Sequence, residues 1–217
     1  NLGVLTQGSM HAIELLAARG YEAIVFHAVG AGGRAMEQLM KEGFITAVFD
    51  YALGDITDAL FGGIRAADEN RLTVAGKLGI PQVVVPGGVD HIGIMLDTPN
   101  TVPDEYKDRA HSFHNPVIFV PRTTGAELVR MMEEIRDRLQ DAKTNTVFIL
   151  PTKGLSSYSV AGGDLYDLES DMVFHQAVRD LIPDFIPLIE IEAGAEDLAF
   201  VERCIDELVN LIENNKA

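Results

Sequence analysis

Short apolar runs alternate with amphipathic stretches of helical length along almost the whole chain, and this alternation constrains the fold more than any other feature. Runs at residues 3–6, 22–29, 45–49, 81–85, 146–150 and 187–191 read as strands. Stretches at 9–19, 34–42, 55–61, 64–78, 124–140, 169–181 and 196–213 read as helices. The Val-rich character of 81–85 suits a strand buried on both faces. Thr124 and Glu127 have the spacing of a capping box, and Leu128, Met131, Met132, Ile135 and Leu139 recur behind them at helical spacing. Strands alternating with such helices predict right-handed βαβ units. The expected fold class is therefore α/β, a Rossmann-like three-layer fold with a mostly parallel sheet covered by helices on both faces. A length of 217 residues suits a single α/β domain over 1–217. Asn1 leads almost at once into an apolar run, so the chain is read as a piece of a longer protein. Residues 89–120 break the rhythm, with Pro99, Pro103 and Pro116 among polar residues. That segment is expected to be irregular. It reads either as a lid or as a surface excursion with a short helix near 104–110.

Charge narrows the partners. Lys and Arg number 17 against 33 Asp and Glu, a formal net charge of −16. Such a field repels phosphate backbones and anionic lipid, so no nucleic acid and no membrane partner is expected. No apolar run approaches the roughly 18 residues of a membrane span. The single cysteine, Cys204, lies on a helical stripe with Val201, Ile205 and Leu208 and reads as a buried thiol. A chain without a disulfide framework fits a reducing, cytoplasmic location.

In an open parallel sheet, ligands bind outside the C-terminal ends of the strands. Five successive loops at that edge are rich in small or polar residues: Thr6–Ser9, His27–Gly33, Asp50 onward, Pro86–His91 and Pro151–Ser157. Glycine there lets a ligand approach the backbone and its N–H groups. Gly30, Gly32 and Gly33 open a helix and could bind an anion, and Gly87 follows the fourth strand. Gly30-Ala31-Gly32-Gly33-Arg34-Ala35 also fits G-x-G-x-x-A, with Asp50 ending the next strand. That is the layout of a dinucleotide fingerprint, against which stands the ionisable His27 inside the strand. Thr152-Lys153-Gly154-Leu155-Ser156-Ser157 resembles an anion cradle, and Arg122 before a helix offers a second clamp. Neither a Walker A loop nor a G-x-S-x-G elbow is present. Of six histidines, His11 and His175 read as structural or exposed. His91, His111 and His114 lie in or beside the irregular segment with Asp90 nearby, at spacings that match no tight metal motif, so no metal is assigned. His27, Asp90 and His114 are the candidates for general acid–base catalysis.

The sequence His27-Ala28-Val29-Gly30-Ala31-Gly32-Gly33-Arg34-Ala35-Met36-Glu37 resembles a block of uncharacterised protein family 0261. Gly79-Ile80-Pro81-Gln82-Val83-Val84 with Pro86, Gly87 and Asp90, then His114-Asn115-Pro116, Arg122-Thr123-Thr124, and Leu150-Pro151 with Gly154 and Ser156, extend the likeness over nearly the whole chain. The resemblance is to the C-terminal half of a two-part protein whose halves are both α/β. It implies that His27, Gly30, Gly32, Gly33, Asp90, His114, Asn115, Arg122, Gly154 and Ser156 are motif residues. Lys153 stands where the family more commonly carries Arg. The family's ATP-binding label attaches to the N-terminal half, so the resemblance assigns ATP with magnesium to that half.

The leading expectation is a domain that completes a cleft for a small anionic or phosphorylated metabolite or nucleotide. Its expected partners are that ligand, the N-terminal domain of the same protein and further copies in a homo-oligomer. The alternatives are a non-catalytic oligomerisation or protein-binding module, and an NAD-dependent oxidoreductase.

Overall fold

A computed structural model describes residues 1–142 and 145–215. Its framework is α/β. Four parallel strands, β1 (Val48–Ala52), β2 (Gln82–Gly87), β6 (Thr146–Pro151) and β7 (Leu188–Ile191), lie in the order β1-β2-β6-β7. The helices are α1 (Thr6–Ala18), α2 (Gly30–Lys41), α3 (Gly54–Phe61), α4 (Val74–Leu78), α5 (Gly125–Arg138), α6 (Leu168–Leu181) and α7 (Leu198–Asn214). This is the Rossmann-like three-layer arrangement that the alternating pattern implies.

The period of two in the central strands makes the layers. Val84, Phe148 and Leu150 point to one face and pack with Leu128, Met131, Met132 and Ile135 of α5 and Phe174 and Val178 of α6. Val83, Val85, Val147 and Ile149 point to the other and meet Phe200, Val201, Cys204, Ile205 and Leu208 of α7. Each fully buried valine of β2 stabilises the fold by about 1.5–3 kcal/mol relative to exposure. The same burial pushes the Cys204 thiol far above its ordinary pKa, so this thiol is structural. At α5 the capping box forms. Glu127 N–H donates to Thr124 Oγ1 at 3.3 Å and Thr124 N–H to Glu127 Oε2 at 2.8 Å.

Several expected elements differ. Residues 3–5 form a single 3-10 turn running straight into α1, so the apolar run there is not a strand. Residues 22–27 have no assigned secondary structure and no β-ladder. The helix expected over 64–78 shrinks to α4, because Leu72 takes a left-handed φ of 74° that no helix continues through. Segment 89–120 is not wholly irregular: β3 (Ile94–Met95), β4 (His111–Asn115) and β5 (Ile118–Pro121) form an antiparallel sheet in the order β3-β5-β4, with a 3-10 turn at Asp104–Tyr106. These strands are short and β4 is mostly exposed, so no apolar alternation marked them.

Candidate functional site

The edge beyond β2 and β6 is built by two tight turns. Gly88, at φ 72°, reverses the chain after β2 and donates its N–H to Leu155 O at 2.8 Å. Gly154, at φ 138°, turns the chain after β6, and its carbonyl accepts from Ala195 N–H at 2.9 Å. These turns bring Asp90 against Ser156. An isolated antiparallel bridge between His91 and Arg122 then ties this loop to the end of β5, with Thr123 N–H donating to Asp90 O at 3.0 Å.

A chain of buried polar groups results. Ser156 Oγ donates to Asp90 Oδ2 at 2.5 Å, and Asp90 Oδ1 lies 3.1 Å from His91 Nδ1. His91 Nε2 lies 3.1 Å from Arg65 Nη1. A guanidinium only donates, so Nε2 carries the lone pair and Nδ1 the proton given to Asp90. Arg65 is fixed in turn by Asp58, with Nε to Oδ2 at 2.6 Å and Nη2 to Oδ1 at 2.7 Å. On the other side Arg122 Nη2 donates to Asp171 Oδ1 at 2.5 Å, while its buried Nε has no partner among the described residues. Burial alone would raise the pKa of Asp90. His91, Arg122 and the Ser156 hydroxyl outweigh it and hold that carboxyl well below the ordinary range. Burial does win at Asp171, pushing it up to about 6 against the pull of Arg122. Ser156 touches the carboxylate rather than the imidazole, so His91 is not placed to take its proton. The array orients groups and is not a nucleophile triad.

A second buried network lies under the end of β1. Arg71 donates to Asp50 Oδ1 at 2.6 Å, to Asp55 Oδ2 at 3.0 Å and to Ala52 O at 3.1 Å. Gln82 Nε2 donates to the other oxygen of Asp50 at 2.7 Å. Both Asp50 oxygens are thus engaged inside the protein, which removes the acid that a ribose would require. Glu37 accepts from Leu72 N–H at 2.8 Å, and burial lifts its carboxyl to about 7.

The remaining candidates scatter. Gly30 N–H donates to Arg65 O at 3.0 Å and Gly33 N–H to Val29 O at 3.1 Å, so two of the expected anion donors are already used. A Cβ on Gly30, Gly32 or Gly87 would sit 2.4 Å from Ala66 O, 2.0 Å from His27 O or 2.3 Å from Tyr51 O. Close backbone packing explains these glycines. His27 is exposed, its Nδ1 2.8 Å from Asn1 O. His114 is exposed on β4, its Cε1 3.7 Å from where a Cβ on Gly3 would lie. Asn115 Oδ1 accepts from Val117 and Ile118 N–H, shaping the hairpin turn. Lys153 is exposed and paired with Glu192 at 3.0 Å. The structure therefore brings together Asp90, Arg122 and Ser156, and sets His114 beside Gly3, His27 beside Asn1 and Lys153 beside Glu192. Among the described residues, no three His, Cys, Asp or Glu side chains gather as a metal site. None of the described helices is long and apolar enough to cross a membrane.

Sequence reasoning passed over Asp58, Arg65, Arg71 and Asp171, and took Asp55 only as part of the loop beyond Asp50. The available signal was charge within apolar surroundings. Asp55 and Asp58 sit one turn apart in the otherwise apolar helix Gly-Asp-Ile-Thr-Asp-Ala-Leu-Phe, and buried carboxylates demand cations nearby.

The model of the C-terminal domain of uncharacterised protein family UPF0261 matches residues 1–212. The chain belongs to this family. It is 36% identical over 212 residues to a UPF0261 protein of Clostridium tetani, covering 97% of this chain and 52% of that protein. It is 36% identical over 169 residues to the ToMV resistance protein Tm-1(GCR237) of Solanum lycopersicum, covering 78% of this chain and 22% of that one. The ToMV susceptible protein tm-1(GCR26) of the same plant is likewise 36% identical, over 157 residues. The chain spans about half the length of the bacterial relatives it matches.

Proposed function

We propose that this UPF0261 domain forms one wall of a cleft that binds a small anionic or phosphorylated metabolite, a nucleotide among them, at the C-terminal edge of the sheet. The observation that carries the reading is the Arg65–His91 pair at this edge, with the main chain of three glycines close against it. Cβ atoms on Gly54 and Gly93 would stand 3.3 Å and 3.2 Å from the Arg65 guanidinium, and one on Gly88 would stand 3.8 Å from His91 Cε1. Main chain thus packs closely against the Arg65–His91 pair, with the Leu2 side chain beside Gly54 and Gly88 and Asp58 beside Gly93. The Arg65 side chain is 12% exposed. Four of its five N–H groups go to Asp58 and His91, which leaves one on Nη1 for a ligand. In this reading His114, exposed beside Gly3, would supply a second donor. Asp90, Ser156, Arg122 and Asp171 beneath hold the pair in place. The remainder of the longer protein would close the cleft.

The test is a thermal-shift screen of the full-length protein against inorganic phosphate, nucleotides and carboxylic acids. A ligand at about 100 times its Kd stabilises by about 2.7 kcal/mol, a shift of several degrees. His114→Ala should weaken the effective compound severalfold and Arg65→Lys at least tenfold. If no compound stabilises the protein, or both variants bind as the parent does, the reading is lost.

One observation favours an assembly module as the second reading. Leu168 and Met172, one turn apart on α6, are 53% and 62% exposed, with Tyr166 just before them at 45%. Light scattering of the parent and Met172→Lys decides it: an unchanged mass rules out that face as the contact.

A further inference from the structure

We infer that the groove between residues 22–28 and β1 seats one more parallel strand, and that its occupant is the stretch of polypeptide leading directly into Asn1. The groove has a volume of about 350 Å³ and is lined by Ile24, Phe26, Phe49 and Tyr51 among others. Two hydrogen bonds already begin a ladder in it. Asn1 N donates to Phe26 O at 2.5 Å, and Ala28 N donates to Asn1 O at 2.6 Å. One residue bonded to the residues on either side of its opposite number, here His27, is the parallel pattern. It sets the register: the position two before Asn1 falls opposite Val25. Along an extended chain the main-chain groups alternate, so the N–H and C=O groups of Ile24 and Phe26 face the added strand and those of Val25 face away.

The far wall matches. β1 ends the sheet, bonded to β2 alone. Val48 N–H goes to Pro81 O across β2, so the N–H and C=O of its neighbour Phe49 turn toward the groove. Left unfilled, these edges expose Ile24 (61%), Val25 (49%) and the nearby Phe44 (73%). A strand running into Asn1, then α1, then residues 22–28 is an ordinary right-handed βαβ unit. The family's longer members have polypeptide enough to supply it.

The added strand also explains the position of the proposed cleft. α1 packs with α7 on one face, whereas α2 packs with α4 on the other. The two connections therefore diverge between the added strand and β1, a topological switch point, where ligands of open α/β sheets bind. The helical turns that follow these two strands begin with Gly3 and Gly54, next to His114 and Arg65 respectively.

Amide hydrogen exchange on the full-length protein tests the strand independently of any ligand. Ile24, Phe26 and Phe49 should exchange at least about 100-fold more slowly than Val25, whose N–H faces outward. Burial without a ladder would give no such alternation. Phe26 and Phe49 exchanging as fast as Val25 would overturn the inference. Protection that rises with protein concentration would overturn it too, since a second copy would then be the occupant.

Discussion

Arg65 Nη1 stands 3.1 Å from His91 Nε2, and Asp58 grips the other side of the same guanidinium with both carboxylate oxygens. Asp58 has no exposure of its own, so the pair is a fixed part of the fold as well as the edge of the proposed cleft. Arg65→Ala leaves a buried carboxylate without its cation and should cost about 3–5 kcal/mol in urea unfolding. Asp58→Asn should also destabilise. Because the two residues act as a unit, the double variant should lose clearly less than the sum of the single losses. Strict additivity would mean that the contact does not stabilise the fold.

Glu37 gives the fold a pH dependence of definite sign. Its carboxyl titrates near 7 in the folded chain against an ordinary 4.5. The native state therefore holds the proton more tightly. The contribution is full below about 4.5 and is lost as pH rises to 7. Glu37→Gln keeps an oxygen for the Leu72 N–H and removes the titration. Relative to the parent, the variant should gain roughly 1–3 kcal/mol between pH 5 and pH 8. Chemical denaturation at the two pH values reads this directly, and a gap that does not change with pH contradicts it.

The glycines separate packing from conformational freedom. Gly32→Ala and Gly87→Ala drive a methyl into the carbonyl oxygens of His27 and Tyr51 and should each cost about 2–3 kcal/mol or more. Gly20 has open space and a left-handed φ of 82°, so Gly20→Ala should cost only about 1 kcal/mol. Equal losses at all three positions would show that the backbone yields at Gly32 and Gly87.

Asp50 should matter for stability and not for cofactor binding. Asp50→Asn weakens its bond to Arg71 and should lower the melting temperature by several degrees. Titration with a nicotinamide or adenine nucleotide, followed by fluorescence, should give a Kd within about twofold of the parent value. A tenfold rise would restore Asp50 as a ribose ligand.

Much of the framework was legible because period and burial agree. The Val-rich strand β2, the capped helix α5 and the stripe around Cys204 each carry a local pattern that tertiary packing reinforces. Residues 3–6 have strand composition but open a helix, and residues 22–29 have it but bond to no neighbouring strand. The site was legible only in outline. Asp90 and Ser156 stood out by their place at the sheet edge and Arg122 by its place before a helix, but their partners Arg65, Asp58 and Asp171 lie on other elements, and no spacing in the sequence links them. The glycine motif at Gly30–Gly33 invited a ligand reading because a turn that must admit a carbonyl and one that must admit a phosphate need the same residue.

The six histidines offer the most direct test of where the ligand sits. Ring-nitrogen NMR spectra of the full-length protein would be followed during titration with inorganic phosphate and nucleoside phosphates. A cleft centred on Arg65 and His91 predicts that His91 and His114 shift together and saturably, that free His91 is protonated at Nδ1, and that His11 on α1 and His175 on α6 do not move. Saturable shifts confined to His27 or His175, with His91 and His114 unmoved, would contradict it.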